Sequence, residues 1–371
     1  MSVLTELVET IRRSAGRENL HDLHVESESH PTALLLPELR KLHISNPNGT
    51  NFVVYFVVEK EDDTSDALSA SLGGFFNARY VHEYLKHARM KAKTGHYRFF
   101  VRKLCHEEPD RSFVALSLQW NHRGHAIKQL TVDQVLQTAE SLAALHARGF
   151  DNPRPSYRQV VNDNHHLVQL FLTHELRHKA EGLIESLFSN HHHLFTNATR
   201  TRAIVHELLS SFTSFHISLE ETPRTVLCHG NLCPANLQFD SDGNLHNIDG
   251  WEHGHFGHVA EDLSYLMITG LSAKDRRSNY LRVLRSYYYQ LVEHHCVPHN
   301  KLHEMKSFYH EFLKRAVFFK LLTLEAEIEY EGDAEAKAAV HRWENVVLDA
   351  HEFESGRYVS DDQNPLTSQC D

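Results

Sequence analysis

Several features that mark large classes of proteins are missing from this chain. Its 371 residues contain no run of 18 apolar residues that would cross a bilayer, and the N-terminal segment has no signal-peptide core. The net charge is -11 and there is no basic tract, so we expect no nucleic-acid partner. The five cysteines are an odd number without regular spacing, which favours a reducing compartment. We therefore expect a cytoplasmic protein that spans no membrane.

The composition is that of an ordinary globular protein. With 41% hydrophobic and 23% charged residues, a chain of this length can bury a substantial core in two lobes. Strand patterns dominate the first third and helical patterns follow, with no repeat or long linker. We predict an α+β protein with a smaller, mainly β lobe at 1–116, a larger helical lobe at 117–354 and a polar tail at 355–371.

One motif carries most of the functional information. Residues 229–236 read HGNLCPAN, and Asp249 and Gly250 follow thirteen and fourteen residues after Asn236. This spacing reproduces a kinase catalytic loop, H-x-D-x-x-x-x-N, followed by its metal-binding aspartate. The catalytic aspartate of that layout is replaced by Asn231.

The replacement changes what the motif can do. Phosphoryl transfer needs an acceptor for the attacking hydroxyl and oxygen ligands that hold Mg²⁺, and the spacing assigns Asn236 and Asp249 to the metal. The amide of Asn231 can accept a hydrogen bond but cannot take a proton at neutral pH. General base catalysis contributes about 10² to 10⁴ in rate, so transfer is expected to be weak or absent.

The residues around the motif predict a β-hairpin. Apolar alternation at 237–239 and 245–248 flanks a turn sequence at 240–244. Such a hairpin would bring Asp249 back beside Asn236. The alternative is a surface loop that merely contains histidine, asparagine and aspartate.

At this point the sequence resembles a known family. Residues 226–277, with CHGNLCPAN, NIDGWEHGHFGHVAEDLSYL and GLSAKDRR, are similar to choline-kinase-like and ecdysteroid-kinase-like (CHK) proteins of the aminoglycoside phosphotransferase superfamily. Residues 130–147, LTVDQVLQTAESLAALHA, are similar to the helix that precedes their catalytic region. The resemblance implies a two-lobed protein-kinase-like fold, ATP and Mg²⁺ as cofactors, and a small-molecule acceptor.

The resemblance also implies roles for individual residues. Asn231 stands where the family has its catalytic aspartate, and His229 is the structural histidine of the loop. Asn236 and Asp249 are the metal ligands. Asp262 braces the loop from the start of the next helix, unless it is an ordinary acidic residue at a helix N-terminus.

The N-terminal third departs from the family pattern. The strand at 51–60 ends in Lys60, the candidate phosphate-contacting lysine, and the alternative is a solvated lysine beside Glu59 and Glu61. In the helix predicted at 74–85, the family glutamate position is occupied by Ala78, and Glu83 is the only nearby carboxylate. No glycine occurs at 20–45, where a phosphate-binding turn is expected.

Further predictions concern the helices and the side chains near the motif. His253, His255 and His258 would need converging geometry to bind a metal. Cys228 and Cys233 are interpreted as packing residues, with redox sensing as the alternative. Helical periodicity predicts helices at 131–148 (with Thr131 and Gln134 as a capping box and Gly149 as terminator), 165–220, 272–294 and 301–350.

Two functional hypotheses remain open. In the first, the protein is a small-molecule kinase of reduced efficiency that phosphorylates a hydroxyl group. In the second, it is a pseudokinase that binds a nucleotide, metabolite or protein partner without turnover.

Overall fold

The computed structural model describes part of the chain. The described residues are 24–28, 39–45, 51–58, 65–87, 96–103, 113–120, 125–126, 129–151, 176–212, 226–294, 302–330 and 332–356. None of the helices in these segments is long and apolar enough to cross a membrane.

The first third of the chain forms an antiparallel sheet. Its five strands pair in the order β1-β2-β3-β5-β4. The NFVVYFVV sequence of β3 consists almost entirely of β-branched and aromatic residues, which favour strands. The strand predicted at 51–60 is confirmed for 51–58, and residues 59 and 60 lie outside the described residues. The strands are β1 (His24–Glu28), β2 (Leu39–Ser45), β3 (Asn51–Val58), β4 (His96–Lys103) and β5 (Phe113–Trp120).

One long helix follows β3. Helix α1 (Ser65–His87) contains the helix predicted at 74–85 and begins nine residues earlier. Val81, Tyr84 and Leu85 are spaced to lie on one helical face, and all three are buried. This face packs toward the short 3₁₀ turn at Trp251–His253, far along the chain.

Helix α2 (Val132–Asp151) begins as its sequence predicts. The Gln134 backbone N–H donates to Thr131 Oγ1 at 3.2 Å and the Thr131 N–H donates to Gln134 Oε1 at 2.9 Å, which completes the capping box. The predicted terminator Gly149 is wrong, because the helix continues to Asp151. A glycine inside a helix costs only about 1 kcal/mol, which tertiary packing can offset.

The region predicted to be helical at 165–220 contains two helices within the described residues. They are α3 (176–190) and α4 (Ala198–Ser211), and the rest of the predicted region lies outside the described residues apart from the connection. A 3₁₀ turn at His192–Leu194 lies between them. The side chain of Asn197 then accepts a backbone N–H and caps α4.

Five short strands build the part of the fold that carries the motif. One sheet has the order β6-β8-β9, and β7 pairs with β10 in another. Strands β8 and β9 form the predicted hairpin, with Leu237 opposite Ile248 and Gln238 opposite Asn247. The strands are β6 (His125–Ala126), β7 (Val226–Cys228), β8 (Leu237–Phe239), β9 (Leu245–Ile248) and β10 (His255–Gly257).

Four further helices complete the described structure. All ten residues of α5 are buried, so this helix lies inside the helical core. The predictions at 272–294 and 301–350 are confirmed, the second with a break before Asp333. The helices are α5 (Glu261–Gly270), α6 (Ala273–Tyr289, followed by a π-turn at Gln290–His294), α7 (Leu302–Tyr330) and α8 (Asp333–Glu354).

A buried histidine joins two of the core helices. His146 of α2 is fully buried and its Nδ1 lies 2.6 Å from the hydroxyl of Tyr287 in α6. Burial lowers the pKa of His146 to about 3, because the interior cannot solvate an imidazolium ion. The folded protein therefore keeps His146 neutral down to about pH 3, whereas the unfolded chain protonates it near pH 6.5.

This difference predicts a pH dependence of stability. Between pH 6.5 and about 3 the unfolded state binds a proton at His146 that the folded state does not, so stability is lost as the pH falls through this window. Replacing His146 by Gln should reduce the slope of unfolding free energy against pH by about 1.4 kcal/mol per pH unit near pH 5. Urea unfolding at stepped pH measures the slope.

The matched control is His246→Gln, because His246 is exposed on β9. This variant should keep the wild-type slope. Equal slopes for wild type and His146→Gln would show that His146 does not contribute to the acid sensitivity.

Candidate active site

The loop after β7 is held by one carboxylate. Asp262, in the first turn of α5, accepts hydrogen bonds from the backbone N–H groups of His229 at 2.7 Å and Gly230 at 3.0 Å. Burial raises the pKa of Asp262 to about 7, although both N–H donors act in the opposite direction. The side chain is thus in direct contact with the loop and does more than interact with its own helix dipole.

His229 connects the loop to the residue that follows the hairpin. The backbone N–H of Asn231 donates to His229 Nδ1 at 3.2 Å, so the ring proton is on Nε2, which donates to the carbonyl oxygen of Asp249 at 2.5 Å. Burial lowers the pKa of His229 to about 4. A neutral imidazole in a single tautomer therefore fixes Asn231 and Asp249 relative to each other.

Two glycines in the motif have no room for a side chain. Gly230 and Gly250 have φ values of 80° and 76°, a region that favours glycine. A Cβ at Gly230 would collide with the carbonyl oxygen of His253, and one at Gly250 would lie 2.6 Å from Asn236 Oδ1. Both glycines thus permit the close approach of the loop, the hairpin and the segment after it.

The hairpin places the two predicted metal ligands side by side. The backbone N–H of Asp249 donates to the carbonyl oxygen of Asn236 at 2.8 Å. The side-chain amide of Asn236 donates to the carbonyl oxygen of Asn231 at 2.9 Å. The structure therefore brings together Asn231, Asn236 and Asp249, all of which are at most 3% exposed.

Two amides contact the carboxylate of Asp249. Asn247 Nδ2 donates to Asp249 Oδ1 at 2.6 Å, and Gln238 Nε2 donates to Oδ2 at 2.5 Å. Gln238 and Asn247 are directly opposite each other on β8 and β9. Both oxygens of this buried anion thus receive a charge-assisted hydrogen bond from its own hairpin.

The donor types at this position suit a hard divalent ion. Mg²⁺ binds carboxylate and amide oxygens, and Asp249 and Asn236 offer one of each. Each carboxylate oxygen has two lone pairs and can accept a second contact besides the one from its amide. The residues therefore fit the predicted ion, although part of the carboxylate is already hydrogen-bonded within the protein.

Helix α1 contacts this region through a residue that the sequence did not single out. Asn77 is fully buried and its side-chain amide donates to the carbonyl oxygens of Glu252, at 3.1 Å, and Gly254. The adjacent Ala78, at the family glutamate position, packs against the core. Glu83 pairs with Arg79 of the same helix at 3.3 Å. The amide of Asn77 therefore links α1 to the segment after Asp249.

The phosphate-contacting lysine predicted from the sequence, Lys60, lies outside the described residues. The chain between β1 and β2, within the segment where the family resemblance leads us to expect a phosphate-binding turn, also lies outside them. The role of Lys60 stays a prediction.

The three histidines after Asp249 have different environments. His255 Nε2 lies 3.1 Å from Glu261 Oε1. Burial is the largest single effect and lowers the pKa of His255, but the charge of Glu261 and the hydrogen bonds to Glu261 and to the His253 carbonyl together raise the pKa. Burial lowers the pKa of His253 to about 3 and that of His258 to about 4, and the His258 ring stacks on Phe308. His255 therefore acts as the cation of a buried ion pair.

A potential metal-binding geometry occurs at that ion pair. The ligand atoms of Cys228, His255 and Glu261 all lie within 4.8 Å of one another. Arg315 adds a guanidinium group 3.9 Å from Glu261. His255 and Arg315 are two cationic groups beside the one carboxylate of Glu261. We therefore interpret this cluster as an internal charge network. Cys228 and Cys233 are buried free thiols, as the packing interpretation predicts.

Sequence reasoning missed Gln238, Asn247, Asn77 and Glu261. A signal was present for Gln238 and Asn247, because both are polar residues at inward positions of a predicted hairpin. For Asn77 and Glu261 the partners lie on other elements, so no local pattern marks them.

Comparison with solved structures identifies the fold. Spectinomycin phosphotransferase APH(9)-Ia, in complex with ADP and spectinomycin, superimposes with a TM-score of 0.51 at 12% identity, over 94% of this chain and 98% of that one. Choline kinase from Cryptosporidium parvum Iowa II superimposes with a TM-score of 0.50 at 12% identity, over 99% of both chains. Plasmodium vivax ethanolamine kinase superimposes with a TM-score of 0.50 at 9% identity, over 95% of this chain and 91% of that one.

These similarities confirm the predicted α+β kinase-like fold. At such low identities they show the fold alone. The division into lobes at 1–116 and 117–354, and the roles of the individual site residues, stay predictions.

Sequence comparison adds a family. A search among curated proteins finds no match. The DUF1679 family, described as uncharacterized oxidoreductase dhs-27, matches residues 58–345. Its description names an oxidoreductase, yet this sequence contains no G-x-G-x-x-G dinucleotide-binding motif. The chain belongs to the DUF1679 family, and its fold is that of choline kinases and aminoglycoside phosphotransferases.

Proposed function

We propose that the protein binds ATP in a kinase-type cleft and transfers its terminal phosphate to a small-molecule alcohol weakly or not at all. The observation that carries this proposal is the position of Asn231. It follows the braced His229 in the loop, and its carbonyl oxygen accepts the side-chain amide of Asn236. A residue without basicity thus stands where the transfer reaction needs a base.

The loop can still orient an acceptor. The side-chain oxygen of Asn231 accepts a hydrogen bond from a hydroxyl group and so directs its oxygen, but the proton stays on the substrate. Phosphoryl transfer depends mainly on positioning and charge neutralisation. Losing the base removes about 10² to 10⁴ in rate, so slow transfer is physically allowed and normal turnover is not.

The other site residues are proposed to keep their binding roles. Asn236 and Asp249 would hold Mg²⁺, which supplies charge neutralisation on the phosphates. His229 and Asp262 hold the loop in place for this purpose through their hydrogen bonds. In the proposed two-lobed arrangement, the nucleotide lies between 1–116 and 117–354, and Lys60 contacts a phosphate.

The acceptor is proposed from chemistry rather than from contacts. The similar folds include kinases named for choline and ethanolamine and a phosphotransferase bound to spectinomycin. A net charge of -11 suits a cationic or neutral small molecule better than an anionic one. We place the protein in the cytosol, where its buried free thiols Cys228 and Cys233 stay reduced.

A second candidate is a pseudokinase that binds nucleotide or a partner without any turnover. It is supported by the N-terminal part of the chain, where Ala78 replaces the family glutamate and Glu83 is engaged by Arg79. In the family pattern, the helix glutamate pairs with the phosphate-contacting lysine. If this ion pair is absent together with the base, restoring the base alone would not restore transfer.

Replacing Asn231 by Asp separates the two candidates. A carboxylate at this position restores the base, so ATP consumption with a panel of amino alcohols and aminoglycosides should rise by about 10² to 10⁴ over wild type. The measurement is ADP release, with the thermal shift caused by Mg²⁺-ATP recorded in parallel to show that nucleotide is bound.

The control is Asn190→Asp, which introduces the same charge at an exposed position on α3. It should leave ADP release at the wild-type level. Absence of any gain in Asn231→Asp, with the thermal shift intact, would favour the pseudokinase. Absence of a thermal shift in the wild type would contradict nucleotide binding itself.

A further inference from the structure

Three metal-ligand side chains converge on the helical part of the fold, outside the candidate active site. One ligand atom each of His191, Glu325 and Glu329 lies within 4.8 Å of the other two. His191 follows the last residue of α3, and the two glutamates belong to α7. The cluster thus joins two elements that are far apart in the sequence.

His191 brings an unsatisfied nitrogen to this cluster. Its Nε2 atom is buried and has no hydrogen-bond partner among the described residues. The distance from Nε2 to Glu325 Oε1 is 3.9 Å, which is too long for a hydrogen bond. A buried polar atom without a partner costs free energy, and a bound cation would supply the missing contact.

Two of the three ligands are held in place by hydrogen bonds. The backbone N–H of His191 donates to the carbonyl oxygen of Leu187 at 3.0 Å, and its carbonyl oxygen accepts the N–H of Leu194 at 3.0 Å. The hydroxyl of Ser186 donates to Glu325 Oε1 at 2.5 Å. Such outer hydrogen bonds orient the ligands of metal sites. His191 and Glu325 are therefore positioned before any ion binds.

The charges of the two glutamates are not balanced within the protein. Glu325 and Glu329 are one helical turn apart on the same face of α7, so their carboxylates repel each other. Within the part of the chain that the structure describes, neither forms an ion pair with a lysine or an arginine. Lys320 of the same helix pairs with Glu327 instead. A divalent cation between the two carboxylates would replace their repulsion by attraction.

The buried pair of His255 and Glu261 differs in this respect. There the histidine lies 3.1 Å from the glutamate, and Arg315 lies 3.9 Å from the same carboxylate, so two cations already balance it. No such balance exists at His191. Glu329 is also exposed, so an ion can reach the cluster from solvent.

The donor set indicates which ions fit. Mg²⁺ and Ca²⁺ prefer oxygen ligands, whereas an imidazole nitrogen suits Zn²⁺ and related transition-metal ions. Three protein ligands and one water form a tetrahedral zinc site, in which ligand atoms about 2.1 Å from the ion are about 3.4 Å apart. The separation of 3.9 Å between His191 Nε2 and Glu325 Oε1 needs only a small side-chain movement to reach this value.

We infer that His191, Glu325 and Glu329 form a binding site for a divalent transition-metal ion of the Zn²⁺ type, with water as the fourth ligand. The bound ion cross-links the end of α3 to α7 and so stabilises the helical part of the protein. This site is independent of the proposed nucleotide binding.

The test is a titration of the untagged full chain with zinc chloride, followed by isothermal titration calorimetry. Glu329→Gln and His191→Phe each remove one ligand atom at similar side-chain volume. Loss of even an outer hydrogen bond to a ligand weakens metal binding about 10- to 100-fold, so each variant should lose one Zn²⁺ step or weaken it at least about tenfold. Excess Mg²⁺ should not compete for this step.

The matched controls are Glu335→Gln and His193→Phe, which make the same changes at exposed positions outside the cluster. Both should keep the wild-type number of Zn²⁺ steps and their affinities. Circular dichroism confirms that each variant is folded. Because Glu329 is exposed, Glu329→Gln decides if His191→Phe does not fold.

Three results would overturn the inference. The first is a wild type that binds Zn²⁺ more weakly than about 100 µM. The second is Zn²⁺ binding that is unchanged in folded Glu329→Gln. The third is an equal loss of affinity in His193→Phe, which would assign the binding to the exposed histidines of the turn.

Discussion

A buried carboxylate must be supplied with hydrogen-bond donors, and Asp249 obtains them from the hairpin that carries it. Asn247 and Gln238 contact its two oxygens, while its backbone N–H and C=O groups bond to Asn236 and His229. Asp249 is thus bonded through all its polar groups to the loop and the hairpin. The geometry of the site depends on this one residue being held from several directions.

The same network contains the residues to which the family resemblance gives supporting roles. Asp262 braces the loop, His229 is fixed in one tautomer, and Gly230 and Gly250 allow the backbones to approach. These residues build a platform, and none of them performs the proton transfer. The group that would do so is Asn231, where the amide retains hydrogen bonding and loses basicity. Under the proposed function, retained support and a missing base would give a protein that binds more readily than it reacts.

The sequence predicted the local elements well because their signals are local. The hairpin follows from alternation around a turn, and the start of α2 follows from the reciprocal hydrogen bonds of Thr131 and Gln134. The end of α2 was predicted wrongly at Gly149, because packing of the helix on its neighbours outweighs the helix propensity of one glycine.

The rest of the site depends on register and on distant partners. The hairpin contains a β-bulge, in which His246 is an extra residue on β9 between the pairs Gln238–Asn247 and Phe239–Leu245. The apolar alternation of the sequence does not specify where this bulge occurs, so the pairing of Gln238 with Asn247 could not be predicted. Asn77 reaches the carbonyl oxygen of Glu252 from a helix 175 residues earlier in the chain. His255 and Glu261 meet because β10 and the start of α5 are packed together. Such contacts are consequences of tertiary packing and cannot be predicted from neighbouring residues.

A crystal structure of the chain with a non-hydrolysable ATP analogue tests the central claim most directly. We predict that the triphosphate lies against the loop and hairpin, with its terminal phosphate near Asn231 and Asn236, and that Asp249 keeps its hydrogen bonds to Gln238 and Asn247. An analogue bound elsewhere on the chain, or a hairpin in which Asp249 has left both amides, would contradict the account.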